Sequence, residues 1–199
     1  MINNKKSMIV AVTGGIGSGK SFFTELLKEK GFSVLSCDKI AREIFEDYSM
    51  KKKLKKLFPS AVSGKIFLKV DRKKISDIVF IDEEALSRLN ALTHPVIIEK
   101  TIKRAKKLKS PVFVEVPLLF EANCSHLFDK TVVIVRDKNE RIRSVINRSN
   151  LTKEEVLSRM ANQVDYDTLD LSNYIVIKND GSEENLKSQL YPMLQKLYE

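Results

Sequence analysis

The chain has 199 residues, 43% hydrophobic and 31% charged, which is typical of one globular core with insertions and excludes an intrinsically disordered chain. Its 35 basic and 26 acidic residues give a net charge of +9, which favours an anionic partner such as nucleic acid, a membrane surface or a phosphorylated small molecule. The two cysteines, Cys37 and Cys124, form no pattern with zinc spacing, which argues against a metal–thiolate site.

The beginning of the chain predicts a strand, a loop and a helix. Residues 1–7 are polar and basic, and neither a signal peptide nor the roughly 18 apolar residues of a membrane span follows, so we expect a cytoplasmic protein. The apolar, β-branched run 8–13 predicts a buried strand, 14–20 a loop and 21–30 an amphipathic helix. A second strand is predicted over 32–36.

The middle of the chain is predicted to be almost wholly helical. The stretch from Asp38 to about residue 108 is too long for one crossover between neighbouring strands, so we predict a helical insertion over 38–109. Its densest charge run, 51–56, is interpreted as a solvated helix face with Leu54 and Leu57 pointing inward.

The rest of the chain alternates strands and helices. Strands are predicted over 111–116, 131–135 and 174–177, two charged helices over 138–162, and a terminal helix over 182–198. Near-continuous apolar strands alternating with helices predict an α/β fold, a five-stranded parallel sheet with helices on both faces. In such sheets functional groups gather at the carboxyl ends of the strands.

The strongest motif is the phosphate loop 14–21, which reads GGIGSGKS and satisfies G-x-x-x-x-G-K-[ST] between a strand and a helix. Its glycines let backbone N–H groups converge on phosphate oxygens, and the following helix directs its positive end at the same anion. Lys20 is predicted to reach the β- and γ-phosphates and the Ser21 hydroxyl to bind Mg²⁺. The predicted nucleotide-binding residues of the loop are Gly14, Gly15, Ile16, Gly17, Ser18, Gly19, Lys20 and Ser21.

This motif sits on a P-loop NTPase-type core, which we predict to comprise 1–37, 110–137 and 164–199, with a small helical lid over 138–163. A switch GTPase would need a guanine-reading Asn-Lys-x-Asp, which the sequence lacks. A small-molecule kinase needs only the loop, an acceptor-side base, a metal-side carboxylate and a mobile cationic lid.

Candidates for these parts follow the strands. Asp38, just past the second strand, is either a base that orients the attacking hydroxyl or an ordinary helix N-cap. Glu115, at the end of the third strand, is a candidate to lie beside the metal, beyond its direct ligands. Glu121 alone is more typical of a solvent-facing residue. Around the predicted lid, the arginines form either a lid that closes over ATP or a basic surface: Arg136, Arg141, Arg143, Arg148 and Arg159.

Several segments besides the phosphate loop with its doubled glycine occur in a characteristic order. These are Asp38 with Ile40-Ala41-Arg42, Thr93-His94-Pro95-Val96-Ile97, Val116-Pro117-Leu118-Leu119-Phe120-Glu121, Arg148, Arg159 with Gln163, and Asn179-Asp180-Gly181-Ser182. Together they resemble the dephospho-coenzyme A kinases, and the resemblance covers nearly the whole chain. The loop is generic to NTPases, whereas the Thr-His-Pro and Pro-Leu-Leu-Phe-Glu segments are specific.

The resemblance implies phosphorylation of the ribose 3′-hydroxyl of dephospho-CoA by ATP and Mg²⁺, giving coenzyme A and ADP. It implies that Asp38 is the catalytic base and that Arg42, His94 and Glu121 shape the acceptor site. By the same resemblance Arg148 is a lid arginine and Asn179 lies near the adenine. From the sequence alone His94 is as well interpreted as a packing histidine, because Pro95 suits the first turn of a helix.

The chain departs from the family pattern in the predicted lid. The family usually has a second lid arginine four residues before Arg148, and this chain has Ser144 at that position. We hypothesise that Arg141 or Arg143 supplies the missing positive charge. Ser149-Asn150 stands where Asp-Gly is common, and Ser172-Asn173 replaces the usual Ala-Asp before the last strand. These changes bear on the lid rather than on the reaction.

Two other functions remain as alternatives. Another nucleoside or nucleotide kinase would share the core and differ in the insertion. A nucleic-acid-binding ATPase would suit the +9 charge, but no pattern of stacking aromatic residues supports it and tryptophan is absent. We therefore expect ATP and dephospho-CoA as partners, no nucleic acid and no membrane, and a monomer or weak homo-oligomer.

Overall fold

The computed structural model describes residues 8–149 and 151–199. Residues 1–7, on which the expectation of no signal peptide partly rests, and Asn150 of the predicted lid lie outside the described residues. Its strands are β1 (Ile9–Thr13), β2 (Ser33–Ser36), β3 (Val62–Ser63), β4 (Lys69–Val70), β5 (Val112–Glu115), β6 (Lys130–Val135) and β7 (Ile175–Lys178). Its helices are α1 (Lys20–Glu29), α2 (Cys37–Ile44), α3 (Tyr48–Leu57), α4 (Arg72–Ile81), α5 (Glu83–Ala105), α6 (Lys138–Ser149), α7 (Lys153–Ala161) and α8 (Glu183–Lys196).

Five strands form the central sheet in the order β2-β5-β1-β6-β7, and every neighbouring pair is parallel. This confirms the predicted five-stranded parallel sheet. All five residues of β1, at its centre, are buried, which is the reason that the strand reads as an uninterrupted apolar run. Because the strands are parallel, their carboxyl ends share one edge, and the segments that follow β1, β5, β6 and β7 begin there.

By its internal contacts the chain divides into two compact units. The first contains the described residues up to Ser36 together with Arg104–Glu199, and its core joins strand residues such as Val10, Phe113 and Ile134 to Phe23 of α1 and Met193 of α8. These side chains are almost completely removed from water, which is the main stabilising contribution to such a core.

The second unit is Cys37–Lys103. Helices α2 to α5 bury their own apolar cluster, which includes Ile40, Leu54 and Ile75. Leu54 is buried and Leu57 is partly buried, while most lysines of 51–56 face solvent, as the solvated-face interpretation expects. The predicted insertion, 38–109, extends beyond this unit, and its acceptor-binding role stays a prediction.

Helices α2 to α5 make up most of the second unit, and β3 and β4 add a small antiparallel hairpin that the sequence did not predict. One local expectation is wrong: Pro95 does not begin a helix, since it lies inside the 23-residue helix α5. Proline has no N–H to donate to the carbonyl four residues earlier, so this helix tolerates a missing bond at that turn. Across the described residues, no helix has both the length and the apolar character that crossing a membrane requires.

Candidate active site

The loop 14–21 connects β1 to α1 at the carboxyl edge of the sheet, and it is tightly packed from behind. Gly14 and Gly17 have φ values of +146° and +77°, which other residues rarely adopt. A Cβ on Gly14 would meet the carbonyl oxygen of Ile134, and one on Gly17 would meet that of Arg141. Inside the loop the Ser18 N–H donates to the Gly15 carbonyl at 3.1 Å. Glycine is therefore required by both conformation and space.

Lys20, the first residue of α1, is held at the mouth of the loop. Its Nζ donates to the carbonyl oxygens of Gly14 at 2.6 Å and Gly15 at 3.0 Å. These two contacts fix the ammonium group beside the loop amides, where a polyphosphate chain would pass. The Lys20 ammonium group therefore lies beside the loop backbone, and its contact with the β- and γ-phosphates stays a prediction.

Ser21 and Glu115 meet at the same edge. The Ser21 Oγ donates to Glu115 Oε1 at 3.0 Å, and Glu115 ends β5, the strand paired with β1. Both side chains offer the hard oxygen ligands that Mg²⁺ prefers. Within 8–149 and 151–199 there is no cluster of three His, Cys, Asp or Glu side chains that could hold a metal. Mg²⁺ usually keeps several waters and takes only one or two protein oxygens besides substrate phosphates, so Ser21 as a Mg²⁺ ligand stays a prediction.

Asn179, the residue after β7, anchors the loop from the next strand. Its Nδ2 donates to the Ser18 carbonyl at 2.8 Å, and its Oδ1 accepts from the Gly181 N–H at 2.9 Å. Its backbone N–H donates to the Val135 carbonyl, so it continues the pairing of β6 and β7. The side chain is buried, and its contact with the phosphate loop is a role that the sequence did not predict.

The segment that follows α7 also contacts the phosphate loop and the end of β1. Gln163 Oε1 accepts from the Ile16 N–H at 2.7 Å, and the Tyr166 hydroxyl lies 3.3 Å from Thr13 Oγ1. Burial raises the pKa of Tyr166 to about 12, so its hydroxyl stays neutral and can keep this hydrogen bond. Gln163 was singled out in sequence only together with Arg159, as part of the resemblance to the dephospho-coenzyme A kinases, and no local pattern marks Tyr166 as functional.

The arginines of the predicted lid lie in different environments. Arg141 is only 4% exposed, lies against Gly15 and pairs with Asp167, whereas the Arg143 side chain is 74% exposed and pairs with Glu140. Arg148 and Arg159 are exposed on α6 and α7, as a mobile cationic lid would need. Of Arg141 and Arg143, only Arg141 contacts the phosphate loop.

Glu121 faces the protein rather than bulk solvent. Its Oε1 accepts from the Val164 N–H at 2.9 Å, which links the loop after β5 to the segment after α7. Its Oε2 is buried and has no hydrogen-bond partner among the described residues. A buried carboxylate oxygen without a donor costs free energy, so this atom is suited to accept a hydrogen bond from a ligand.

The remaining predicted site residues belong to the second unit. Asp38 lies inside the first turn of α2, is exposed, and accepts no hydrogen bond from the described residues, so the N-cap interpretation is not supported. Arg42 follows four residues later and is also exposed, so the two side chains share one face of the helix. His94 lies within α5, and burial lowers its pKa, which favours the neutral imidazole.

The first unit therefore joins a glycine-rich loop, a lysine, a serine–carboxylate pair and a buried asparagine at the carboxyl edge of a parallel sheet. This combination defines the P-loop NTPase-type class, with the parts that a small-molecule kinase needs for binding a nucleoside triphosphate. Shikimate kinase from Bacteroides thetaiotaomicron shares this fold, with a TM-score of 0.58 at 10% identity over 96% of this chain and 99% of that one.

Comparison with known proteins identifies the family. The model of the family described as "Dephospho-CoA kinase" matches residues 8–185. The dephospho-CoA kinase of Thermus thermophilus is 36% identical over 97% of this chain and 93% of its own length, and that of Leptospira interrogans is 37% identical over 94% and 91%. The chain belongs to the dephospho-CoA kinase family, whose enzymes catalyse the last step of coenzyme A biosynthesis.

Solved structures agree with this assignment. A crystal structure from Thermus thermophilus matches with a TM-score of 0.84 at 36% identity, covering 97% of this chain and 99% of that one. The dephospho-CoA kinase of Campylobacter jejuni matches with a TM-score of 0.69 at 31% identity, covering 95% and 96%. The alternative of another nucleoside or nucleotide kinase is not favoured by these likenesses.

Proposed function

We propose that this protein transfers the γ-phosphate of ATP to the ribose 3′-hydroxyl of dephospho-CoA in the cytoplasm, giving coenzyme A and ADP. The observation that carries the proposal is the phosphate loop with Lys20 at its mouth and Ser21 bonded to Glu115, in a chain of the dephospho-CoA kinase family. A P-loop alone is common to many NTPases, and family membership selects the acceptor.

On the donor side, the loop amides and Lys20 hold the β- and γ-phosphates. Ser21 Oγ would hold Mg²⁺, which would supply positive charge to the reaction, and Glu115 orients the Ser21 hydroxyl by accepting its hydrogen bond. Asn179 keeps the loop in shape through the Ser18 carbonyl, and its place after β7 suits a neighbour of the adenine.

On the acceptor side, Asp38 orients the 3′-hydroxyl in line with the γ-phosphorus and accepts its proton. The O3′–P bond forms as the bond between phosphorus and the β,γ-bridging oxygen breaks, and ADP leaves. Arg42, His94 and Glu121 complete the acceptor site. The exposed carboxylate of Asp38 and the unpartnered Oε2 of Glu121 support these roles, since each can receive a hydrogen bond from a hydroxyl.

The lid supplies the remaining positive charge. Arg148 closes over ATP and offsets charge on the transferring phosphoryl group, while closure of 138–163 excludes water from the reaction. Exposure of Arg148 supports this role, because its guanidinium is available to a ligand. The enzyme acts as a monomer or weak homo-oligomer.

An acceptor panel tests the proposal. Purified protein with Mg²⁺ and γ-labelled ATP is assayed with dephospho-CoA, adenosine, AMP and shikimate, and the position of the new phosphate is established by NMR. Of the four acceptors, we expect only dephospho-CoA to be phosphorylated efficiently, and its new phosphate to lie on the 3′-oxygen. Efficient transfer to another acceptor, or to another oxygen, would contradict the proposal.

A further inference from the structure

The back of the phosphate loop carries a buried cation that the donor-side mechanism does not use. Arg141 is 4% exposed, and its Nη2 donates to Asp167 Oδ2 at 2.9 Å. Its Nη1 lies 2.5 Å from the place where a Cβ on Gly15 would stand, so the guanidinium presses directly on the loop backbone. The Tyr166 ring, 3.3 Å from the same place, closes the other side.

The charge of Arg141 is incompletely compensated. Its Nε is buried and has no hydrogen-bond partner among the described residues. Its ion-pair partner Asp167 has a side chain 46% exposed, so water weakens the attraction that it exerts. A buried cation in such surroundings is unfavourable by itself, because part of its hydration has been lost without replacement.

The position of the Arg141 guanidinium beside the phosphate loop suggests a role in nucleotide binding. The guanidinium lies against a loop whose backbone N–H groups we propose to bind phosphate oxygens, and the Arg141 carbonyl also packs against Gly17. A polyphosphate bound in the loop would place anionic charge on the far side of a thin layer of backbone. In a partly buried site such an attraction is much less screened than at the surface.

We propose that Arg141 is a positioning residue that strengthens nucleotide binding from behind the phosphate loop, and that Asp167 moderates its positive potential. Arg141 touches the loop rather than the substrate, and it acts on the phosphates of the nucleotide through Gly15. The proposal rests on the proposed function, since it takes the loop to hold ATP. It also assigns to Arg141, rather than to the exposed Arg143, part of the positive charge missing at Ser144.

The directions in which two substitutions change the affinity for MgADP test this proposal. Arg141→Gln removes the charge and is expected to weaken MgADP binding by roughly tenfold, the size of a lost charge-assisted contact. Asp167→Asn keeps an oxygen that accepts from Nη2 but removes the opposing charge, so it is expected to tighten MgADP binding by about threefold. If Arg141 and Asp167 were only a structural brace, both substitutions would weaken binding.

The measurement is titration calorimetry of the whole protein with MgADP and, separately, with adenosine, which has no phosphate. Adenosine affinity is expected to change less than about twofold in both variants, and Arg141→Lys is expected to restore part of the MgADP affinity. Arg88→Gln, which breaks a 2.5 Å exposed ion pair with Glu84, is the matched control. If Arg141→Gln fails to fold, the direction in which Asp167→Asn changes the affinity for MgADP still tests the proposal.

The outcomes separate this inference from the proposed function. Unchanged or weaker MgADP binding by Asp167→Asn overturns the role of Arg141, even where the wild type phosphorylates dephospho-CoA normally. A wild-type protein that neither binds MgADP nor transfers phosphate overturns both. Tighter binding by Asp167→Asn together with weaker binding by Arg141→Gln supports the inference.

Discussion

The hydroxyl of Ser21, the proposed Mg²⁺ ligand, already makes a hydrogen bond inside the protein. Its proton is given to Glu115 Oε1 at 3.0 Å, which leaves the oxygen lone pairs free to face a cation. A carboxylate that fixes a ligand in this way adjusts metal affinity without binding the metal itself. The bond therefore fixes the orientation of the hydroxyl that we propose as the Mg²⁺ ligand.

We expect Glu115→Gln to raise the Mg²⁺ concentration for half-maximal activity by roughly tenfold or more, as is usual when such a supporting partner is lost. The KM for dephospho-CoA should change little, because Glu115 acts on the donor side. The measurement is the initial rate over a Mg²⁺ series at saturating substrates. Glu140→Gln, which breaks the surface pairing with Arg143, is the control. If the Mg²⁺ concentration for half-maximal activity is unchanged in Glu115→Gln, the proposed role of Glu115 beside the metal is wrong.

Asp38 has a carboxylate with no competing structural bond among the described residues, so its substitution should affect chemistry rather than folding. We predict that Asp38→Asn lowers kcat by about 10²-fold or more, since the amide cannot accept the proton of the attacking hydroxyl. Single-turnover rates measure this, and the melting temperature should stay near that of the wild type. Asp77→Asn, an exposed acid on α4, is the control. Near-normal turnover would contradict the role of Asp38.

At the scale of elements, the phosphate loop depends on glycine for its left-handed backbone and for the lack of space for a Cβ. Two glycines of this chain allow the two effects to be tested separately. Gly17 and Gly31 have similar left-handed φ values, +77° and +84°. A Cβ at Gly17 would meet backbone atoms of Arg141, whereas one at Gly31 would have no atom within 4 Å. The two positions share the conformational cost and differ only in the steric one.

Gly31→Ala is expected to lower the free energy of unfolding by about 1 kcal/mol, the cost of a left-handed alanine, without changing MgADP affinity. Gly17→Ala adds a backbone collision and should weaken MgADP binding by at least about tenfold as the loop shifts. Denaturant unfolding and calorimetry of both variants measure this. Equal MgADP affinity in the two variants would show that space behind the loop is unimportant.

The sequence predicts elements well where burial imposes a pattern. The central strands are apolar along their whole length, so β1 and β5 were predicted to within about one residue at each end. The β3–β4 hairpin was missed, because strands of two residues have no period to detect. Pro95 was misread as a helix start, since proline is common there, whereas it lies inside α5.

The candidate site shows the same division. Gly14 to Ser21, Asp38 and Glu115 could be proposed from the sequence because their predicted chemistry requires fixed residue types at strand ends, and their roles stay predictions. Gln163 and Tyr166 contact the loop from about 150 positions along the chain, and contacts at that distance leave no local signal. The pairing of Arg141 with Asp167 is of the same kind. Sequence therefore specifies the phosphate loop but not the side chains that hold it.

At the scale of the whole molecule, the net charge is unevenly placed. Residues 51–74, in the second unit, hold ten basic side chains and one acidic side chain, Asp71, and so account for the entire excess of +9. The rest of the chain is balanced. A cationic helical unit is suited to attract an anionic acceptor such as dephospho-CoA, with an on-rate that falls as salt concentration rises. The charge that initially fitted several partners is thus concentrated in the unit proposed to bind the acceptor.

The stability of the whole chain should also depend on His94. Burial lowers the pKa of His94 below its ordinary value of 6.5, so as pH falls below that value the unfolded chain takes up a proton before the folded one does. The contribution to stability is complete above 6.5 and is lost as pH falls towards the folded-state pKa. The melting temperature should therefore decrease from pH 7.5 to pH 5.5 by more in the wild type than in His94→Asn, which cannot titrate there.

Thermal unfolding of the wild type and of His94→Asn at a series of pH values measures this difference. His126→Asn, which removes the other histidine from an exposed position, is the matched control. Because the half-buried imidazole loses hydration that its charged form needs, the melting temperature of the wild type minus that of His94→Asn should become smaller, or more negative, as pH falls. A difference that stays constant or increases as pH falls would mean that His94 is protonated at least as easily in the folded protein as in the unfolded chain.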